Sequence, residues 1–204
     1  MRISKAEAAA NRGRVLETAG RLFREKGVDR VAVADLMKAA GLTHGGFYNH
    51  FESKEDLAAA ACTAAFASAI ERLERQLAEA GEHGRQQAFA QYVERYLARQ
   101  TRDAPARSCP MVTLGTDAAR HGAELKAEFA AGVRHYLDAF SKIIPTAQTP
   151  NRAEAIAALS TLIGALTLSR ACAGADDDLA DEVLVAVRKQ LLGRYRRRAA
   201  KRRR

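Results

Sequence analysis

The densest set of residues able to recognise another molecule lies in the run Leu42-Thr43-His44-Gly45-Gly46-Phe47-Tyr48-Asn49-His50-Phe51 and at Lys54 just beyond it. Thr43 suits the N-cap of a short helix, because its hydroxyl can accept a hydrogen bond from an unpaired first-turn amide. Gly45 and Gly46 are poor helix formers, and they make sense where another backbone must come close. His44 can donate to or accept from a base edge. Tyr48, His50 and Lys54 can hold phosphates on either side of a groove. A recognition helix enters the DNA major groove by its N-terminal residues, so a small and polar first turn fits that task. The bland alternatives are a surface aromatic at Tyr48, a packing or capping role for His50 and an unengaged loop residue at His44. Phe47 and Phe51 read as core.

A second chemical candidate is Cys109, in Arg107-Ser108-Cys109-Pro110-Met111. A cysteine at a helix start, with an arginine beside it, has its thiolate favoured. The alternative is that Cys109 is a small buried hydrophobe. An enzyme built on a Cys109 nucleophile would need a base, and His121 or His135 are the candidates. No nucleophile motif, phosphate loop or HExxH-type metal spacing accompanies it, so neither a metal nor a cofactor is expected.

Composition narrows the class. The chain has 204 residues and a net charge of +9. Residues 1–60 hold ten basic and eight acidic residues, 61–187 hold thirteen and sixteen, and 188–204 hold ten basic and none acidic. The basic character therefore sits in the C-terminal tail, which reads as a solvated end or as a supplementary contact to DNA phosphates. A DNA-coating protein working through that tail is the corresponding rival function. Three scattered cysteines (Cys62, Cys109, Cys172) without a CxxC fit a reducing cytoplasm. Charges within the first ten residues argue against a signal peptide. The most apolar stretch, 155–168, is shorter than the about 20 residues a membrane crossing needs and is followed by Arg170, so no membrane segment is expected.

The periodicity is helical throughout and predicts an all-α fold. Val15, Leu16, Ala19, Leu22 and Phe23 share one face of a helix over 7–26, stopped by Gly27. A short helix over 33–40 buries Val33, Leu36 and Met37 and ends at Gly41. Ser53-Lys54-Glu55-Asp56 reads as a capping box, with Asp56 reaching back, opening a long helix to about Gly81. Helices follow over 85–101, after Pro110, over 123–144, 152–173 and 176–195. Asp176, Asp177 and Asp178 complement the positive end of the last one.

The spaced series Leu22-Phe23, Lys26-Gly27, Asp35-Leu36, Ala39-Ala40-Gly41-Leu42-Thr43, Phe47-Tyr48-Asn49-His50-Phe51 and Ser53-Lys54-Glu55-Asp56-Leu57 resembles the TetR-family DNA-binding domain. The resemblance implies a TetR-like fold: a three-helix DNA-binding head with a helix-turn-helix over 1–56, a six-helix ligand-binding and dimerisation body over 57–195, and a basic, disordered tail over 196–204. It implies a transcriptional repressor, or alternatively an activator, released from a palindromic operator by an inducer. By matching position, Thr43, His44, Gly45, Tyr48, Asn49, His50 and Lys54 are the implied DNA-binding residues. One departure stands out: Val31-Ala32-Val33 supplies no hydroxyl where the second helix usually begins with Thr or Ser, so that contact is missing or comes from Arg30.

The body resembles the TetR subgroup with a cysteine opening the sixth helix, some of whose members respond to electrophiles or oxidants, and Cys109 matches that position. Tyr92, Tyr96, Met111, Phe129, Tyr136 and Arg170 are candidate ligand contacts, with Leu114 and Val133 beside them; ordinary core is the alternative for each. Ile156, Leu159, Ile163 and Leu166, and Val183, Leu184, Val187 and Leu191, each fall near one helix face. The family resemblance reads those faces as the homodimer interface, a four-helix bundle about a two-fold axis.

Overall fold

The structure is a computed structural model, and it describes residues 4–80, 84–144 and 151–201, with side chains as far as 195. The described residues form helices and connections, with no strand. In chain order the helices are α1 (Lys5–Lys26), α2 (Val33–Ala39), a 3-10 helix (His44–Asn49), α3 (Lys54–Ala80), α4 (Arg85–Tyr96), α5 (Arg99–Asp103), a 3-10 turn (Pro105–Arg107), α6 (Pro110–Thr113), α7 (Gly115–Arg120), α8 (Ala123–Ile143), α9 (Arg152–Cys172) and α10 (Asp177–Lys201).

Packing divides the chain into two compact units, and not at residue 56. One takes the chain up to Ser68 together with Pro105–Val133; the other takes Ala69–Ala104 together with Arg134 onward. In the first unit the predicted face of α1 is buried at Val15, Ala19, Leu22 and Phe23. Gly27 ends the helix with φ +82° and its amide on the Phe23 carbonyl at 2.9 Å, a backbone shape that favours glycine. The 3-10 turn and α6 pack on α1, so the segment 105–133 belongs with the head. Leu36 and Met37 of α2 are buried as expected, whereas Val33 is only half-buried. Gly132 of α8 meets the Phe66 ring of α3 at close quarters: a Cβ at Gly132 would stand 2.3 Å from Phe66 Cδ2.

Several expected boundaries shift for physical reasons. The helix expected over 85–101 breaks at Leu97-Ala98, where Ala98 is extended and α5 starts afresh. Carbonyls at the break and at the C-terminal end of α5 are taken by arginines of the same unit. Arg188 donates to Leu97 O at 2.6 Å, and Arg170 to Thr101 O and Arg102 O at 3.0 and 2.9 Å. The tail expected to be disordered from 196 continues α10 as helix through Lys201, since arginine and alanine favour helix and no proline intervenes. The capping box forms with a change of partner. Ser53 Oγ accepts from Asp56 N at 3.0 Å, while the Asp56 carboxylate accepts from Glu52 N rather than from the cap residue.

In the second unit α9 and α10 pack along each other. Arg152–Cys172 is long and apolar enough to cross a membrane by length and composition, which the short apolar run in the sequence did not suggest. Its residues Ala155, Ala158, Leu159, Leu162, Ala165, Leu166 and Ser169 are buried on one side, the stripe of a core helix. Leu159, Leu166, Leu184 and Leu191, expected on an association surface, are instead buried inside this unit. Ile156, Leu168, Leu179 and Val185 are the large apolar side chains left exposed on these two helices.

Candidate nucleic-acid interface

The turn into the recognition element is built by Gly41. With φ +71° it ends α2, and the amides of Gly41 and Leu42 bond back to Lys38 O and Met37 O at 3.0 and 2.9 Å. Thr43 follows in extended conformation, and the expected side-chain cap bond does not form. The helix it opens is 3-10 rather than α, six residues from His44 to Asn49. Two glycines in a short segment give little α-helical drive, and tighter i→i+3 bonds suit short pieces.

Phe47 and Phe51 are buried, with ring centroids 5.9 Å apart, and they anchor this segment to the core. Opposite them Thr43, His44, Gly45, Tyr48 and Asn49 are exposed on one short stretch of backbone, with His50 half-buried. Tyr48 is 68% exposed, the most exposed of the large apolar side chains described, and its ring stands edge-on to Phe47 at 5.2 Å. A Cβ at Gly45 would meet nothing within 4 Å, and Gly45 has no positive φ. The fold therefore does not require glycine there, and the open space faces whatever docks. Arg12 has its guanidinium 4.7 Å above the Phe51 ring, and Arg14, Arg30 and Lys38 of the same unit are exposed. Sequence reasoning passed over Arg12 and Lys38, because nothing in their spacing separates them from other surface charges.

Lys54, the remaining expected contact, has a partner within the same unit. It is half-buried, and its Nζ donates to Asp29 O at 3.4 Å, tying α3 to the α1–α2 turn. The expected gap at the start of α2 is present too: Ala32 occupies the N-cap and offers no side-chain bond, while Arg30 next to it is exposed.

The expected sensing residues fall in both units. Cys109, Met111 and Phe129 belong to the first; Tyr92, Tyr96, Tyr136 and Arg170 belong to the second. Cys109 is the half-buried N-cap of α6, but that helix has only four residues, too short for the dipole that was expected to activate the thiol. Met111 is buried, and Phe129 packs edge-on against Phe66 at 5.5 Å. In the second unit the Tyr92 and Tyr136 hydroxyls are 2.7 Å apart among Phe140, Phe89 and Tyr96. Arg170 is held by the two α5 carbonyls described above. His121, expected on an exposed helix position, caps α7 with its ring largely covered, whereas His135 is exposed. Among the described residues no cluster of three His, Cys, Asp or Glu could hold a metal ion. Cys62 is fully buried, and burial pushes its thiol up to about 12, with the Glu128 carboxylate adding to the shift.

Residues 15–61 match the family model described as bacterial regulatory proteins, tetR family. The chain is 43% identical over 56 residues to the HTH-type transcriptional regulator AcrR of Shigella flexneri, covering 28% of this chain and 26% of that protein. It is 42% identical over 57 residues to the HTH-type transcriptional repressor BepR of Brucella suis, covering 28% and 27%. The matched region thus spans about a quarter of the length of these curated relatives. A crystal structure of the reduced form of Escherichia coli NemR superposes with a TM-score of 0.72 at 19% identity, over 87% of this chain and 95% of that one, a likeness of fold.

Proposed function

We propose that this chain, whose residues 15–61 match the model of the tetR family of bacterial regulatory proteins, belongs to that family and is a sequence-specific DNA-binding repressor that works in the cytoplasm as a homodimer and leaves its operator when an inducer reaches the body. The observation that carries this reading is the exposed edge Thr43, His44, Gly45, Tyr48 and Asn49, set on the buried Phe47–Phe51 pair. Such an edge can lie in a major groove, with His44 and Asn49 facing base edges and Tyr48 and the surrounding arginines facing phosphates. The Tyr92–Tyr136 hydroxyl pair, polar and buried in an aromatic surround, is the ligand-facing feature of the body. Inducer binding changes operator affinity by a coupling energy of about 1–3 kcal/mol.

The dimer contact falls on the exposed outer faces of α9 and α10, through Ile156, Leu168, Leu179 and Val185. Two heads joined there face half-sites about one helical turn apart, and the operator is a palindrome. Introducing glutamate at both Ile156 and Leu168 is expected to give a monomer by sedimentation, with the helical content unchanged, because both side chains already face water in the single chain.

The direct test is binding of the purified chain to DNA flanking its own gene, with scrambled DNA as control, in the presence and absence of diamide or N-ethylmaleimide. Tight, sequence-dependent binding supports a repressor, and equal binding to both DNAs refutes a specific one. Loss of binding on thiol treatment in the wild type, but not in Cys109→Ser, makes Cys109 the sensor; binding unaffected by either reagent leaves a non-covalent inducer. In the same samples Cys62 is expected to remain unlabelled by N-ethylmaleimide at neutral pH until the protein is unfolded. A thiol that titrates at about 12 and is fully buried offers almost no thiolate.

A further inference from the structure

The α1–α2 turn of the head, Gly27-Val28-Asp29, is gripped from outside the helix-turn-helix by a side chain of α7 and by the residue that caps that helix. The Asp117 carboxylate accepts the backbone hydrogen bond of Val28 and lies against Gly27, where a Cβ would stand 3.4 Å from its Oδ1. One turn later the His121 amide bonds to Asp117 O at 2.9 Å. That places the His121 ring, 13% exposed, with Nε2 3.3 Å from Asp29 Oδ1. The same Nε2 is shut off from solvent and makes no hydrogen bond. Asp29 also receives Lys54 Nζ on its carbonyl, so one turn residue joins α2, α3 and α7. All of these groups belong to the same compact unit.

The chemistry of this contact depends on a proton. The charged groups around His121 are Asp29 from the turn and Asp117 from α7; Arg120 acts on Asp117, and Lys54 of α3 holds the Asp29 carbonyl. Neutral His121 presents either a lone pair or, in its other tautomer, an uncharged N–H at Nε2. The imidazolium donates there in every case and adds a full positive charge beside the Asp29 and Asp117 carboxylates, a charge-assisted bond. Ionised Asp117 is disfavoured by its burial and held by the Val28 amide, His121 and, against it, Asp29. A protonated His121 eases that strain as well. The turn carries α2 and leads into the recognition element, so a firmer grip lowers the ordering cost when the head docks on DNA.

We propose that Asp117 and His121 are positioning residues for operator binding, clasping the head's α1–α2 turn at Val28 and Asp29, with the clasp tightened when His121 takes up a proton. This rests on the repressor reading for its DNA consequence but not for the clasp itself.

The test uses the full chain and its 204 residues, with His121→Gln, Asp117→Asn and the exposed-site variant Asp29→Asn. Operator affinity is measured between about pH 6 and about pH 8, and amide exchange at Val28 and Arg30 is measured without DNA. The other histidines are present in every variant, so the difference from wild type isolates His121. Wild-type affinity is expected to rise at the lower pH by about three- to tenfold more than that of His121→Gln or Asp29→Asn. The double variant should lose no more than either single one. Asp117→Asn keeps an acceptor for Val28 and should retain most amide protection, while Asp117→Ala loses it. Identical pH profiles in wild type and His121→Gln, or unchanged exchange at Val28 in Asp117→Ala, would overturn the clasp. Protection that follows the variants in a protein that binds no DNA would uphold the clasp and refute the repressor.

Discussion

Gly45→Leu is expected to abolish operator binding while leaving the thermal midpoint within about 2 °C of wild type. Nothing lies within 4 Å of the place a Cβ would take, and the residue is exposed with ordinary backbone geometry. The folded chain therefore pays little for a side chain there. The complex pays heavily, since a leucine stands between two surfaces that must touch. Tyr48→Ala removes the exposed ring and its hydroxyl and should weaken binding by about 10- to 100-fold, the cost of about 1–3 kcal/mol expected for one good nucleic-acid contact. Phe47→Ala makes the contrast. That side chain is buried and should cost about 3–5 kcal/mol of stability, so its effect on DNA follows from unfolding. Melting curves and anisotropy titrations on the three variants separate the roles. A stable Gly45→Leu protein that binds as tightly as wild type would remove this edge from the interface.

The largest expected stability effect lies elsewhere, at Gly132. An added methyl would stand 2.3 Å from Cδ2 and 2.4 Å from Cγ of Phe66. The Phe66 ring is 2% exposed and already packed edge-on by Phe129, so it has nowhere to go. Alanine in place of glycine in a helix normally gains up to about 1 kcal/mol. Overpacking a filled core costs about 1–3 kcal/mol or more, and a contact this short puts the balance on the side of loss. Gly132→Ala should therefore lower the midpoint by several degrees, measured by circular dichroism. Phe66→Leu in the same chain should recover part of the loss, because the smaller side chain vacates the contested space. A Gly132→Ala protein as stable as wild type would mean that α3 and α8 adjust at no cost.

Much was legible from local rules. The buried face of α1, the stop at Gly27, the capping serine at Ser53 and the aspartates opening α10 rest on periodicity, glycine conformation and short-range hydrogen bonds. Each of these is written within a few residues. The short helix after Gly41 was legible for the same reason, as was the missing hydroxyl at Ala32. What was not legible involved partners far along the chain. No local spacing records the bond from Lys54 to Asp29 O. Nor does any record that Arg170 holds the carbonyls at the end of α5. Leu159 and Leu166 share a face with Ile156 in the pattern, yet only packing against α10 decides which of them sees water.

The amino-acid sequence by itself determined the helical architecture of the described residues and the short helix that follows Gly41, because helix period, caps and turn glycines act over one or two turns. Only the tertiary structure decided that 105–133 packs with the head and that His121 and Asp117 reach its turn. A contact between residues some ninety positions apart depends on where the intervening helices place them, and no local spacing records that.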